Sequence, residues 1–130
     1  NNGMGIIAFC PLYQGLLTDK YLNGIPESSR AANTQGLIRE GELNESIIDC
    51  LRKLNEVANE RGQSLAQMAL SWVLRDGRVT SALIGASSPK QIIENCKSVH
   101  ACEFSSAEIE KIDSLLSKIN LPPSLWAGEA

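Results

Sequence analysis

Groups suited to binding a ligand are concentrated in one stretch, Ser81 to Asn95, in which a short apolar run meets a glycine and serine turn. Gly85 lets the backbone turn and approach a ligand without an intervening side chain. Ser88, Pro89 and Gln91 then have the spacing of a capping box, with Ser88 at the N-cap and Pro89 at the first helical position. The free N–H groups and the positive dipole end of such a helix favour anionic groups, so the stretch is typical of a phosphate cradle. An ordinary, well-capped connection between a strand and a helix is the alternative.

A second candidate edge follows the apolar run Gly5 to Phe9. Pro11 lacks a backbone donor and ends the strand, so residues 10–15 are predicted to form a loop at the carboxyl end, where parallel sheets keep their sites. Beyond this loop, residues 22–41 are polar, weakly periodic and rich in Gly, Pro, Ser and Asn. A connection of this length in a compact domain is typically functional or mobile, and this one contains Arg30.

Two strands and four helices are expected to position these residues. The strands are Gly5 to Phe9, which the continuous apolar run predicts to be buried on both faces, and Ser81 to Ile84. The first helix runs from about Asn44 to Gly62, and capping boxes at Ser64 to Gln67 and Ser105 to Glu108 open two others. The apolar positions of the four helices are, in chain order, Ile47, Ile48, Leu51, Leu54 and Ala58; Leu65, Met68, Ala69, Trp72 and Val73; Ile92, Ile93, Cys96 and Val99; and Ile109, Ile112, Leu115, Leu116 and Ile119.

The order of these elements is strand, long loop, helix, helix, strand, helix, helix, which predicts an α/β protein with parallel strands covered by helices. Two strands alone leave open edges and bury too little surface. The pattern therefore predicts partner strands outside this chain. Because the sequence opens with Asn1-Asn2-Gly3 and no initiator methionine, we expect one segment, residues 1–130, of a longer protein.

Composition excludes several classes of protein. The 130 residues are 43% hydrophobic and 21% charged, with a net charge of -3. The sequence pI is near 5.2. These values argue against nucleic acid as a partner, and no run is long enough for membrane insertion. Cys10, Cys50, Cys96 and Cys102 have no close pairing and His100 does not complete a zinc set with them, so we expect no metal site, reduced thiols and a cytoplasmic location.

Several short motifs resemble the last third of an aldo-keto reductase. Most similar is the branch that contains the potassium-channel beta subunits and the bacterial glyceraldehyde 3-phosphate reductases. The matching residues run from Gly5 to about Leu116 with their spacing kept, and include Cys10-Pro11-Leu12, Gly15, Lys20-Tyr21, Gly24-Ile25-Pro26, Ser29-Arg30, Leu83-Ile84-Gly85-Ala86-Ser87, Gln91 and Glu94-Asn95. The resemblance implies the C-terminal portion of a (β/α)8 TIM barrel, with its last two strands and the helices after them.

The same resemblance implies a set of residues that bind NADP. The loop after the first strand would lie against the cofactor, Lys20 and Arg30 would reach its phosphates, and the turn and helix after the second strand would hold its adenosine end. The set is Phe9, Cys10, Pro11, Leu12, Gln14, Lys20, Arg30, Gly85, Ser87, Gln91, Glu94 and Asn95. A lysine and an arginine on a neutral loop can clamp a phosphate through charge-assisted hydrogen bonds. Two positions depart from the family pattern, since many relatives have Ser or Thr at Cys10 and the channel-type proteins have an aromatic residue at Ser28.

The family's catalytic Asp, Tyr, Lys and His lie on earlier strands, so we expect no catalytic residue in this chain and no activity from it alone. The expected intact protein is an NADP-dependent reductase of aldehydes or ketones, with NADPH and a small carbonyl compound as its partners. The alternative is a channel-regulating or redox-sensing barrel that binds NADPH without significant turnover. A third, an independently folding module with a helical surface for a partner protein, rests only on the short length. Open strand edges also predict association into a homo-oligomer.

Overall fold

The computed structural model of the chain describes residues 3–23 and 44–119. Both predicted strands form, as β1 (Ile7–Phe9) and β2 (Ser81–Leu83), and both are shorter than expected. They pair in parallel, with Ile7 opposite Ser81 and Phe9 opposite Leu83. The residues that precede the two strands, Ile6 and Thr80, extend the pairing. Thr80 N donates to Ile6 O at 2.8 Å, and Thr80 Oγ1 accepts from Ile6 N at 3.0 Å.

All four predicted helices are confirmed. They are α1 (Glu45–Glu60), α2 (Leu65–Leu74), α3 (Pro89–Cys96) and α4 (Ser106–Leu116). Short 3-10 helices span Tyr13–Gly15, Asp19–Tyr21 and Lys97–His100. The order of elements in the described residues is therefore that of an α/β chain in which two parallel strands alternate with helices.

Local hydrogen bonds explain where the helices begin. Asn44 Oδ1 accepts from Ile47 N at 3.0 Å and caps α1. The capping boxes of α2 and α4 are complete, since in each the serine side chain and the third helical side chain bond reciprocally. Gly62 follows α1 with φ of +69°, a left-handed conformation that glycine adopts without a steric penalty. The turn chemistry read from the sequence is thus what ends α1 and starts α2.

The hydrophobic core is centred on α1. Leu51, Leu54 and Val57 are each at most 5% exposed, and α1 contacts α2, α4 and the 3-10 helix that carries Tyr21. Tyr21 is fully buried in this core. The residues after β1 are consequently anchored to the helical layer as well as to the sheet.

The helix α2 is buried on more sides than the sequence predicted. Leu65 and Met68 are buried as expected, but Ala69, Trp72 and Val73 are only partly buried. Gln67, Leu70 and Ser71, which the predicted stripe omitted, are buried instead. The reason is that α2 contacts α1, β2, α3 and the 3-10 helix Lys97–His100, so most of its circumference is covered.

Two expectations about buried apolar surface are wrong for the described residues. One face of the strand pair is open, with Ile7 69%, Phe9 79% and Leu83 62% exposed, because no other described strand or helix covers it. On α3, Ile92 and Ile93 are 50% and 61% exposed. The polar side of α3 faces the body of the protein.

Candidate functional site

The two strands bring the candidate residues to one edge. Since β1 and β2 are parallel and Phe9 pairs with Leu83, the segments that follow the two strands leave the sheet at the same end. The loop beginning at Cys10 and the turn containing Gly85 therefore follow neighbouring strand ends. Carboxyl ends of parallel strands are where α/β proteins place their ligands.

The loop after β1 has an unusual backbone. Cys10 and Tyr13 both have positive φ, 51° and 50°, which is costly for residues other than glycine. Tyr13 N donates to Cys10 O at 2.9 Å, and Gly15 N donates to Leu12 O at 3.0 Å. The loop is thus closed by its own backbone, with Pro11 and Leu12 partly buried and Phe9 and Cys10 exposed.

The segment carrying Lys20 is fixed at its backbone and open at its side chain. Thr18 Oγ1 accepts from Lys20 N at 3.3 Å and donates to Gly15 O at 2.6 Å. The next residue, Tyr21, is the buried anchor. Lys20 is exposed, with its Nζ 5.9 Å from the centroid of the Tyr21 ring, and it forms no ion pair with a carboxylate of residues 3–23 or 44–119. The described structure thus leaves the Lys20 side chain exposed, at the position that the resemblance assigns to a phosphate contact.

The turn after β2 presents backbone donors beside open space. A Cβ built on Gly85 would meet no described atom within 4 Å, so nothing there crowds an incoming group. Ser88 caps α3 as predicted, accepting from Gln91 N at 3.3 Å, and Pro89 occupies the first turn. The helix therefore begins with its amide dipoles directed toward the turn.

The side chain of Gln91 differs from the predicted capping box. Its Oε1 accepts from Ser87 N at 2.8 Å and from Ser87 Oγ at 3.1 Å, one residue earlier than the N-cap N–H. The same two donors are what a phosphate oxygen would require. The structure therefore brings Ser87 and Gln91 together. Gln91 Oε1 occupies the acceptor position that a phosphate oxygen was expected to take.

Further along α3, Glu94 and Asn95 lie on the side that faces α2. Asn95 is buried. Glu94 Oε1 pairs with Lys97 Nζ at 2.7 Å, and its Oε2 lies 3.3 Å from Gln67 Nε2. The hydrogen bond from Lys97 is the main cause that lowers the pKa of the Glu94 carboxyl below its ordinary value, opposed by partial burial. Glu94 is therefore a carboxylate near neutral pH.

The described part of the candidate site combines an exposed ammonium group at Lys20, open space beside Gly85, and the Ser87 donors, which in this structure are bonded to Gln91. Arg30 lies outside the described residues, as does Ser28. The backbone of Gln14 belongs to the 3-10 helix Tyr13–Gly15.

Sequence reasoning missed two polar residues of α2 that organise this site. Gln67 was read only as a capping residue and Ser71 was not considered, yet both bond to carbonyl groups of the α3 region. Their spacing of four residues within an otherwise apolar helix was the available signal, because polar side chains on a buried helix must find partners.

In the residues that the structure describes, no group of His, Cys, Asp and Glu side chains has the arrangement of a metal site. Burial raises the pKa of the Cys50 thiol, with a further contribution from Asp49, so that thiol is a poor nucleophile. Within the same residues, every helix is too short or too polar to cross a bilayer.

Comparison with known proteins identifies the family. The model of the aldo/keto reductase family matches residues 1–117. The chain belongs to the aldo/keto reductase family. The resemblance inferred from the motifs at both strand ends is therefore confirmed, including its branch, by the relatives described next.

Two curated relatives align with most or all of the chain. L-glyceraldehyde 3-phosphate reductase of Escherichia coli strain K12 is 50% identical over 133 aligned residues, covering 100% of this chain and 38% of its own length. A putative voltage-gated potassium channel subunit beta of Schizosaccharomyces pombe is 37% identical, covering 88% of this chain and 35% of its own length. The chain thus spans less than two fifths of the curated aldo/keto reductases it matches.

A solved structure shows the same partial coverage. The glycerol dehydrogenase of Gluconobacter oxydans superposes with a TM-score of 0.67 at 26% sequence identity, covering 92% of this chain and 37% of that chain. The α/β arrangement of this aldo/keto reductase chain therefore has a counterpart within a larger enzyme of known structure.

Proposed function

We propose that the chain is the cofactor-binding C-terminal portion of an NADP-dependent aldo/keto reductase that reduces aldehydes or ketones to alcohols. It would supply the last two strands of a (β/α)8 barrel and the helices after them, as a single segment. The observation that carries the proposal is the common strand edge from which both the loop after β1 and the turn before α3 leave the sheet. Family membership supports it, since the chain matches reductases over its full length.

The residues proposed to hold the cofactor fall into three groups. Phe9, at the end of β1, precedes Cys10, Pro11, Leu12 and Gln14 in the loop that follows; Lys20 and Arg30 would meet phosphates; and Gly85, Ser87, Gln91, Glu94 and Asn95 lie on the turn and helix after β2. When bound, NADPH would supply the hydride for carbonyl reduction. The part of this chain is to bind and orient it, because the expected catalytic residues belong to earlier strands and this chain alone is expected to be inactive.

A preference for NADPH over NADH tests the proposal. Lys20, Arg30, Ser87 and Gln91 are all expected near phosphate, so the additional phosphate of NADPH should gain charge-assisted contacts that NADH lacks. Titration of the natural full-length protein with each dinucleotide, followed by fluorescence, should give a Kd at least about tenfold lower for NADPH. Equal Kd values would contradict the proposed role of these residues.

A redox-sensing or channel-regulating protein is the second candidate, favoured by the 37% identity to a putative potassium channel subunit beta. Both candidates bind NADPH, and they differ in turnover. Steady-state oxidation of NADPH with a panel of small aldehydes should reach ordinary enzyme rates for a reductase, whereas a sensor would oxidise its bound cofactor once and stop. In either case we propose a cytoplasmic protein that forms homo-oligomers, and the reductase would act on small carbonyl compounds.

A further inference from the structure

Gln67 is a buried amide on α2 that forms hydrogen bonds in two directions. Its Oε1 accepts from Ser64 N at 3.0 Å, completing the capping box of α2. Its Nε2 donates to Glu94 O at 2.7 Å and lies 3.3 Å from Glu94 Oε2. Because Gln67 is only 8% exposed, water does not compete freely for these groups. The start of α2 and the Glu94 carboxylate are therefore coupled through one side chain.

One turn later on α2, Ser71 forms a second contact, which involves no side chain of the candidate site. Ser71 Oγ donates to Ser98 O at 2.9 Å and accepts from Gln63 Nε2 at 2.9 Å. We call these two contacts, one between Gln67 and Glu94 and one between Ser71 and Ser98, the α2–α3 polar ladder. The Gln67 rung holds the backbone of α3, and the Ser71 rung holds the backbone of the following 3-10 helix, Lys97–His100. Only the Gln67 rung also contacts a side chain of the candidate site. Ser71 is consequently a matched control for Gln67.

The carboxylate of Glu94 is held at two points. Lys97 Nζ bonds Oε1 at 2.7 Å, while Gln67 lies beside Oε2. A carboxylate has about four acceptor positions, so positions remain for a ligand donor. An ion pair between two side chains that are three residues apart and largely exposed constrains such a carboxylate weakly. The buried Gln67 amide supplies the second constraint, and its short bond to Glu94 O fixes the amide beside the carboxylate.

We propose that Gln67 is a positioning residue for cofactor binding, which orients the Glu94 carboxylate toward hydrogen-bond donors at the adenosine end of the dinucleotide. The inference rests on the proposed function, in which Glu94 contacts that end. Gln67 acts through Glu94 and does not itself touch the cofactor. Its loss should weaken the adenosine contact and leave the nicotinamide contact unchanged.

The test compares two ligands in the natural full-length protein. Gln67→Met keeps the length of the side chain and removes its amide, and should raise the Kd of NADPH about fivefold. The Kd of reduced nicotinamide mononucleotide, which lacks the adenosine end, should change by less than about twofold. Ser71→Ala removes the other rung, so it should lower the melting temperature without changing the ratio of the two Kd values.

A double-mutant cycle separates positioning from general destabilisation. In a Glu94→Ala background, Gln67→Met should have no further effect on the Kd of NADPH, because the group it orients is gone. Gln67→Glu, which retains the acceptor for Ser64 N and places a second carboxylate beside Glu94, provides the same test if Gln67→Met does not fold. It should also weaken NADPH selectively.

Three outcomes decide the matter. Selective loss of NADPH affinity that disappears in the Glu94→Ala background supports the proposal. Equal weakening of both ligands, or an unchanged Kd of NADPH in folded Gln67 variants, overturns it while leaving the proposed function intact. Absence of NADPH binding by the unmodified protein overturns the proposed function, and the inference with it.

Discussion

A single guanidinium group, that of Arg61, joins the end of α1 to the segment before α4. It pairs with Glu108 at 2.8 Å, donates to the carbonyls of Ala101 and Glu103 at 2.9 and 3.1 Å, and stacks 3.7 Å from the centroid of the Phe104 ring. Its side chain is only 9% exposed. Several acceptors thus depend on one buried cation.

Replacing Arg61 by Met should lower the free energy of unfolding by about 3 kcal/mol or more, since two carbonyl groups lose their donor and the Glu108 carboxylate loses its cationic partner. Arg61→Lys should recover only part of this, because an ammonium group lacks the planar fork. Urea denaturation of the natural full-length protein measures both. The control is Lys53→Ala, which breaks an exposed ion pair with Asp49 and should cost less than about 1 kcal/mol. Similar losses for Arg61→Met and Lys53→Ala would refute the assignment.

Arg30 tests whether residues 22–41 fold over bound cofactor. A guanidinium on the phosphates is worth about 1.5 to 3 kcal/mol, so Arg30→Ala should weaken NADPH about tenfold or more, and Arg30→Lys less. Fluorescence titration gives the Kd, and limited proteolysis should show cofactor-dependent protection near Arg30. Arg78→Ala is the control, since Arg78 is an exposed residue paired with Asp76. Unchanged affinity together with unprotected cleavage would exclude this role.

At the scale of the elements, the N-terminus of α4 makes stability depend on pH. The hydrogen bond from Ser105 N, at 2.7 Å, is the main cause that lowers the pKa of Glu108 below its ordinary value, with a further contribution from Arg61. A carboxyl group with a lowered pKa in the folded protein stabilises it fully above the unfolded pKa. That stabilisation is lost as the pH falls through the lowered folded value.

The urea midpoint of the unmodified protein should therefore fall between about pH 5 and pH 3 more steeply than that of Glu108→Gln, which cannot titrate at this position. At pH 7 the Glu108→Gln protein should be the less stable of the two, because it lacks the charge that Arg61 and the helix end favour. Parallel pH profiles for the two proteins would show that Glu108 has the same pKa folded and unfolded.

Helix boundaries were predictable because capping is local chemistry. Ser64 with Gln67, and Ser105 with Glu108, lie within one turn of each other, so sequence spacing alone determined their bonds. The burial of α3 was not predictable from its apolar residues. Its inward face carries Asn95 and Glu94, whose partner Gln67 is 27 residues away from Glu94, and such pairing depends on how helices pack.

For the molecule as a whole, the strand pair dictates how residues 1–130 should behave when produced alone. The open sheet face carries Ile7, Phe9 and Leu83, and both strand edges are unpaired among the described residues. Exposed apolar faces and free edges promote association. Sedimentation at micromolar concentration should therefore detect dimers or larger species. Phe9→Lys should shift them toward monomer, and Ile92→Lys, on the exposed side of α3, should shift them less. A cooperatively folded monomer would contradict this.

The parallel α/β order was predictable at this scale, because runs of strand and helix length alternate along the chain. The common strand edge followed from that order, since parallel strands point the same way. What the sequence alone could not give was the exposure of Phe9 and Ile7, because burial depends on which surfaces meet. The Gln91 bond to Ser87 was likewise unpredictable, since a long amide side chain can reach either of two neighbouring N–H groups.

The α2–α3 polar ladder also separates two parts of the molecule by their response to temperature. Contacts between apolar groups, such as those around α1, lose strength on cooling because their burial carries a large heat-capacity change. Burial of polar groups changes the heat capacity in the opposite sense. The α1 core should accordingly weaken in the cold, while α3 and the following 3-10 helix, which are held to α2 through Gln67 and Ser71 respectively, keep their attachment.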